Sequence, residues 1–155
     1  VHMVYGQPRI ENCEEEYFIA VKLSHEDSEK DRVYKINQQF QFCMEHCLLD
    51  TFPAGFVINQ RSIEAGLYHE AEYFFCKMTQ KYEADWLYVK PKGKYAVIDH
   101  KGSYERLPAS YEKLKEFIAA NNLKISGNAY EYELIGYYAA GNPEEYVIQV
   151  AIQVR

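Results

Sequence analysis

The residues with the clearest chemical potential lie in one short apolar segment, Tyr130–Leu134 (YEYEL). In a β-strand successive side chains point to opposite faces, so Tyr130 and Tyr132 share one face while Glu131 and Glu133 share the other. Two carboxylates in an otherwise apolar strand have two explanations: their face is solvated, or it lines a cleft. In a cleft, a carboxylate surrounded by tyrosine hydroxyls would keep its charge through hydrogen bonds and attract an apolar cation.

Tyrosine is unusually abundant, with 15 residues against 8 phenylalanines and 1 tryptophan. Its ring has an apolar body and a polar tip, so many tyrosines suit an aromatic pocket that also forms hydrogen bonds. The ring faces add a cation–π attraction of about 0.5–2 kcal/mol to a desolvated cation. Half-buried strand positions favour tyrosine as well, so its abundance leaves both interpretations open.

Other chemistries find little support in the motifs. Cys43 and Cys47 stand four residues apart on a predicted helix, with His46 beside them, which would suit two zinc ligands or two buried thiols. No second cysteine or histidine pair follows at zinc-finger spacing, which favours the buried thiols. The sequence contains no P-loop, no GxGxxG and no GxSxG pattern. We therefore predict no metal, no cofactor and no catalytic residue.

Length and composition indicate one globular domain. The chain has 155 residues, of which 48% are hydrophobic and 26% charged. Its 17 Lys and Arg against 23 Asp and Glu give a formal charge of −6, which disfavours direct nucleic-acid binding and favours a cationic partner. No apolar run is long enough to span a bilayer, and no secretory signal opens the chain. Because the four cysteines form no disulfide framework, we expect a cytoplasmic protein with no membrane partner.

Apolar periodicity predicts the same order of elements twice: strand, helix, strand, strand. The first repeat, about residues 15–80, has a strand at Tyr17–Leu23, a helix at about 30–48, and strands at Phe56–Asn59 and Glu70–Met78. The second repeat, about residues 90–155, has a strand at Lys94–His100, a helix at Ser110–Asn121, and strands at Ala129–Ile135 and Glu145–Val154. Residues 1–3 look like a cloning scar, so we expect a single domain over residues 4–155.

The repetition predicts an α+β fold. Two βαββ repeats with strands of this length suit an antiparallel sheet with both helices on one face. A ligand cleft between the repeats is the natural consequence, since cavities between structural units are common binding sites.

A set of segments in the second half resembles a known family. PKGKYAVI at 91–98 and HKGSY at 100–104 precede the helix, and LKI at 123–125, YE at 130–131 and EEY at 144–146 follow it. In this order they resemble the effector-binding domain of GyrI-like proteins. The greatest similarity is to the C-terminal drug-binding domain of BmrR-type regulators in the MerR family. It extends over about residues 90–155, and in the first half mainly the order of elements agrees.

The resemblance implies a ligand cavity between the repeats and a buried glutamate that pairs with hydrophobic cations. That glutamate corresponds to Glu131. Glu133 stands where a relative has an apolar pocket residue, so this pocket would be doubly acidic. Two neighbouring carboxylates raise each other's pKa, and one would hold a proton in the absence of ligand.

Aromatic side chains are expected to complete the pocket wall. Where relatives have two tyrosines this chain has Leu107 and Ala54, and Tyr104 and Tyr34 would take their place. The strand pattern of this chain suggests further wall residues, namely Tyr73, Phe75 and Trp86.

Together these features predict a domain that senses a small, cationic, aromatic or lipophilic molecule. DNA would be contacted only through an N-terminal region of a longer parent regulator, which we expect to be a homodimer. Two alternatives stay open. Some GyrI-like relatives are hydrolases, in which a glutamate beside a tyrosine would act as general base and electrophile. Other relatives inhibit gyrase, which would make the domain a protein-binding module.

Overall fold

The computed structural model describes residues 4–24, 26–45, 53–78, 80–81, 83–136 and 139–155. Within these residues the chain forms eight strands and three α-helices. The strands are β1 Arg9–Cys13, β2 Glu16–Lys22, β3 Ala54–Ile58, β4 Ala71–Met78, β5 Leu87–Lys90, β6 Gly93–Lys101, β7 Ile125–Ile135 and β8 Val147–Val154. The helices are α1 Glu29–Glu45, α2 Gln60–Glu64 and α3 Leu107–Ala120, with 3₁₀ turns at Tyr104–Arg106 and Pro143–Glu145.

All eight strands join one antiparallel sheet in the order β1-β6-β8-β7-β3-β4-β2-β5. The first repeat supplies β2, α1, β3 and β4, and the second supplies β6, α3, β7 and β8. The repeats meet where β3 pairs with β7, with Phe56 opposite Glu131. The predicted α+β fold of two βαββ repeats is therefore confirmed.

Local sequence explains where the two long helices begin. Ser28 and Asp31 exchange hydrogen bonds, each side-chain oxygen accepting from the other residue's backbone N–H at 3.1–3.2 Å, which caps α1. Helix α3 carries Pro108 in its first turn, where the missing N–H of a proline costs nothing. Its apolar stripe is buried against the sheet and consists of Leu107, Tyr111, Leu114 and Ile118.

The sheet is buried on both faces. On the helix face, the core beneath α3 and the core beneath α1 are continuous through Phe56 and Ala71. On the opposite face, aromatic side chains from β2, β4, β6 and β7 form a third core. The sheet curls around this third core, since the Tyr88 hydroxyl of β5 lies 2.9 Å from the Tyr130 hydroxyl of β7.

A buried lysine at the end of β5 contacts tyrosines of β6 and β7 across the curled sheet. The ammonium of Lys90, which is 2% exposed, lies 4.3–5.3 Å from the ring centroids of Tyr95, Tyr130 and Tyr132. It donates to the Tyr132 hydroxyl at 2.8 Å and pairs with Glu16 at 2.9 Å. We call these five residues the lysine cage. Cation–π and ionic attraction together stabilise a charge that burial would otherwise penalise.

The structure differs from the sequence predictions at short elements. Strands β1 and β5 and the short helix α2 were not predicted. Helix α3 begins at Leu107 rather than Ser110. Residues 46–48, placed in the first helix by periodicity, lie outside the described residues. No helix in the described part of the chain is long and apolar enough to cross a membrane.

Candidate functional site

A cavity of about 200 Å³ lies on the helix face of the sheet, between the two repeats. Its wall is mainly apolar and aromatic, with few charged groups. The first repeat contributes Arg32, Phe56, Ile58, Tyr68, His69 and Ala71, and the second contributes Tyr104, Leu107, Pro108 and Glu131. A concave apolar wall with a few polar groups is typical of small-molecule sites.

Strand β7 places Glu131 at the junction of the repeats. The residue lies opposite Phe56 of β3 and Val150 of β8, and it is only 3% exposed. Close approach of β3 depends on Gly55, where a β-carbon would lie 1.7 Å from the Glu131 carbonyl oxygen. The carboxylate therefore projects from the middle of the sheet, where neighbouring strands exclude water.

Glu131 accepts a hydrogen bond from the Tyr111 hydroxyl of α3. Among the described residues no lysine, arginine or histidine lies within ion-pair distance of this carboxylate. Burial raises the pKa of Glu131 to about 8, and the nearby Glu133 adds to the rise although the bond from Tyr111 opposes it. In the free protein at neutral pH, the carboxyl is therefore mostly protonated.

Glu133 lies two residues along the same face of β7. It accepts a hydrogen bond from the Tyr104 hydroxyl, which opposes the rise that burial imposes on the pKa of Glu133. Burial and Glu133 together raise the pKa of Tyr104. Tyr104 lines the cavity whereas Glu133 does not. The second carboxylate therefore lies behind the wall, where it acts on Glu131 through its charge.

Stacking against a second tyrosine holds Tyr111, which donates the hydrogen bond to Glu131, in place. The Tyr111 ring stacks on Tyr68 with centroids 4.3 Å apart and planes 4° from parallel. The Tyr68 hydroxyl in turn donates to Glu112 and accepts from Lys115 at 2.9 Å. These contacts hold Tyr111 in one orientation and leave its hydroxyl directed at the carboxyl group.

The structure brings together only part of the predicted site. Glu131 and Tyr104 line the cavity, and Glu133 is adjacent. Four predicted wall residues are elsewhere. Tyr34 is 62% exposed on α1, Tyr73 and Phe75 belong to the core on the opposite face of the sheet, and Trp86 packs beside Phe42 near α1.

Sequence reasoning assigned no ligand role to Tyr111, Tyr68, Phe56 or Arg32. The sequence did contain a signal for Tyr111. This residue interrupts the apolar stripe of α3, and a buried tyrosine hydroxyl needs a hydrogen-bond partner. The sequence contained no such signal for Arg32, because this residue lies on a polar segment of α1 whose orientation depends on the packing of the helix.

The cysteines and histidines form no metal site in the described part of the chain. No group of three or more metal-binding side chains lies close enough there to hold an ion. Cys43 of α1 and Cys76 of β4 are both fully buried and hydrogen-bonded to each other, and this bond, with burial, raises the pKa of the Cys76 thiol. Cys47 and His46 lie outside the described residues.

Residues 6–155 match the family described as the GyrI-like small molecule binding domain, and the chain belongs to this family. It is also similar to the Multidrug-efflux transporter 2 regulator of Bacillus subtilis (strain 168), with 25% identity over 146 residues. That match covers 94% of this chain and 52% of the relative, so the chain spans about half the length of the regulator.

Solved structures share the fold. The EcmrR C-terminal domain superposes with a TM-score of 0.74 at 17% identity, covering 99% of both chains. In an EcmrR–DNA complex the match has a TM-score of 0.70 at 18% identity and covers 96% of this chain and 57% of that one. A hydrolase from Listeria innocua has a TM-score of 0.65 at 13% identity, with 97% of this chain and 93% of that chain covered.

Proposed function

We propose that this domain senses a small aromatic cation, and that Glu131 is the counter-ion of the bound ligand. The observation that carries the proposal is a buried carboxyl group in the wall of an aromatic cavity, with no cationic side chain paired to it among the described residues. A cation that enters supplies the missing charge and makes the ionised form of Glu131 favourable.

The cavity walls suit such a ligand. Phe56, Leu107 and the rings of Tyr68 and Tyr104 provide apolar and aromatic surface around the carboxyl group. In this setting the ring faces attract a desolvated cation, and burial of the ligand's apolar part supplies the rest of the affinity.

The sensor belongs, in this proposal, to a longer transcription regulator that contacts DNA through a separate region. The support is the Bacillus regulator, of which this chain matches about half. A ligand changes the activity of the parent only if it binds one state of that protein more tightly than the other.

Calorimetric titration with benzyltrimethylammonium tests the counter-ion, with its uncharged carbon isostere, neopentylbenzene, as the reference ligand. At pH 9, Glu131→Gln should weaken binding of the cation at least about tenfold, because a charge-assisted contact is lost. It should leave the isostere unaffected. The matched control is Glu116→Gln on the exposed side of α3, which makes the same charge change away from the cavity. Equal cation affinity in wild type and Glu131→Gln would refute the proposal.

A hydrolase is the second candidate, favoured by the two tyrosine–glutamate pairs beside the cavity and by the fold shared with a hydrolase. Glu131 would act as general base and Tyr104 as electrophile. Turnover of 4-nitrophenyl acetate that disappears in Glu131→Gln but persists in Glu116→Gln would support the enzyme. Cation binding without any turnover would support the sensor.

A further inference from the structure

The cavity wall carries a positive side chain as well as the carboxyl group of Glu131. Arg32 of α1 lines the cavity and is half-buried. In the described part of the chain no carboxylate lies within 4 Å of its guanidinium group. Asp27, an acidic residue just before α1, pairs directly with Lys35 at 2.7 Å and interacts with Arg32 only through its charge. Arg32 therefore adds a positive charge that the protein itself does not neutralise by direct contact.

The two charges lie apart within the same cavity. Arg32 and Glu131 form no ion pair, so their charged groups are more than 4 Å apart. The pKa of Glu131 is raised by burial and by Glu133, against the bond from Tyr111. A guanidinium group close to a buried carboxyl would lower that pKa strongly. Burial also differs along the cavity, since Glu131 is 3% exposed whereas Arg32 is half-buried and His69 is exposed. The cavity thus runs from a buried carboxyl group toward an arginine nearer to solvent.

The separate negative and positive charges of Glu131 and Arg32 favour some ligands over others. A simple monocation satisfies Glu131 but brings its charge into a cavity that also contains Arg32, which repels it. A molecule with a cationic group at one end and a carboxylate at the other satisfies both residues. Its apolar body would lie against Phe56, Ile58 and Leu107 between the two charged ends.

We infer that the preferred ligand is a small zwitterion, with its ammonium group at Glu131 and its carboxylate at Arg32. The inference rests on the proposed function and adds a specificity-determining residue to it. The cavity of about 200 Å³ is smaller than the roughly 300–1,000 Å³ of sites for drug-sized molecules. A ligand with a single aromatic ring suits this size.

Four charged probes, each with one aromatic ring, test the inference by calorimetry at pH 8. They are (4-methylbenzyl)trimethylammonium as the cation, (4-carboxybenzyl)trimethylammonium and its 3-carboxy isomer as zwitterions, and 4-methylbenzoate as the anion. The measured quantity is the selectivity, defined as the Kd of the cation divided by the Kd of the better zwitterion. We expect a selectivity of about fivefold, because a half-buried charge pair lies between an exposed pair and a buried one in strength.

Substitutions of Arg32 measure its contribution to this selectivity. Arg32→Met should reduce the selectivity to about one without weakening cation binding, and Arg32→Lys should keep part of the selectivity. Lys30→Met removes the same charge from an exposed position on α1 and is the matched control. It should leave the selectivity unchanged.

The outcomes distinguish the two hypotheses. If cation binding requires Glu131 but selectivity is absent, or survives in Arg32→Met, the zwitterion inference is overturned and the counter-ion proposal stands. If Glu131→Gln binds cation and zwitterion as tightly as wild type, the counter-ion proposal fails and the inference falls with it. Tighter binding of 4-methylbenzoate than of either zwitterion would also overturn the inference.

Discussion

Lowering the pH from 9 to 6 should weaken cation binding about 90-fold, because Glu131 must lose its proton before it can pair with the ligand. With a pKa of about 8, the carboxyl group is ionised in about one molecule in eleven at pH 7. The apparent Kd rises in proportion as the ionised fraction falls. Below pH 8, the logarithm of Kd should therefore decrease by about one for each unit of increasing pH.

The assay is calorimetric titration with benzyltrimethylammonium, whose own charge does not change with pH. Binding should displace the proton of Glu131, so about 0.9 proton is released per ligand at pH 7. Titrations in two buffers with different ionisation enthalpies measure this number directly. An affinity that stays constant from pH 6 to 9, without proton release, would refute the reasoning about Glu131.

Other groups facing the cavity need controls. Burial and nearby carboxyl groups raise the pKa of Tyr104 and Tyr111, so both hydroxyls stay neutral in this range, whereas Glu133 is a second carboxyl group whose pKa burial raises. His69→Gln should preserve the slope with pH. Glu133→Gln should preserve it too but move the midpoint to lower pH, because the charge of Glu133 helps to raise the pKa of Glu131.

The same proton affects the stability of the free domain. Because the pKa of Glu131 is about 8 when folded and near 4.5 when unfolded, the folded state binds more protons between these two values. Stability should therefore be highest below about pH 4.5 as far as this residue is concerned, and fall as the pH rises to 8. The full loss is of the order of 4–5 kcal/mol. Urea unfolding of Glu131→Gln should show a flatter dependence on pH over this window.

Three further substitutions follow from individual contacts. Tyr111→Phe removes the hydrogen bond to Glu131, so the midpoint of the pH dependence should move upward in the same calorimetric titration. Lys90→Met removes the cation from the tyrosine rings of the lysine cage and leaves the partly buried Glu16 paired with Lys77 alone, which should cost about 1–3 kcal/mol in urea unfolding. Gly55→Ala places a β-carbon against the Glu131 backbone and should destabilise the domain by more than about 3 kcal/mol, whereas Gly141→Ala, with open space around it, should change little.

The repeat architecture could be predicted from sequence because each long element has a clear period. The strands at β6 and β8 and the helix stripe of α3 appear directly in the spacing of apolar residues. Strand β1 is short and lies at the sheet edge, where pairing with β6 rather than its own pattern determines its conformation. Helix α3 begins three residues before the predicted Ser110, because its first turn accepts Pro108.

The candidate site was only partly predictable, for a physical reason visible in β4. Alternation correctly separates Phe74 from Tyr73 and Phe75, but it does not say which face lines the cavity. In many antiparallel sheets one face is solvated and this choice is simple. Here the sheet curls around its own aromatic core, so both faces are buried. Tyr73 and Phe75 therefore have the composition of pocket residues while packing on the opposite side from Glu131.

Strand β7 supplies an internal comparison that bears on the role of Glu131. On one face, Tyr130 and Tyr132 surround Lys90, and the paired Glu16 has a lowered pKa because Lys77, Lys90 and Tyr132 outweigh the effect of burial. On the other face, Tyr111 and Glu131 meet in the same way, but no described lysine pairs with the carboxyl group, and the pKa of Glu131 is raised. The same residue types thus form a neutralised, structural cluster on one side and an unneutralised one on the other. A buried acid in a cavity wall that costs stability as it ionises supports our proposal of a cationic group that comes from outside the domain.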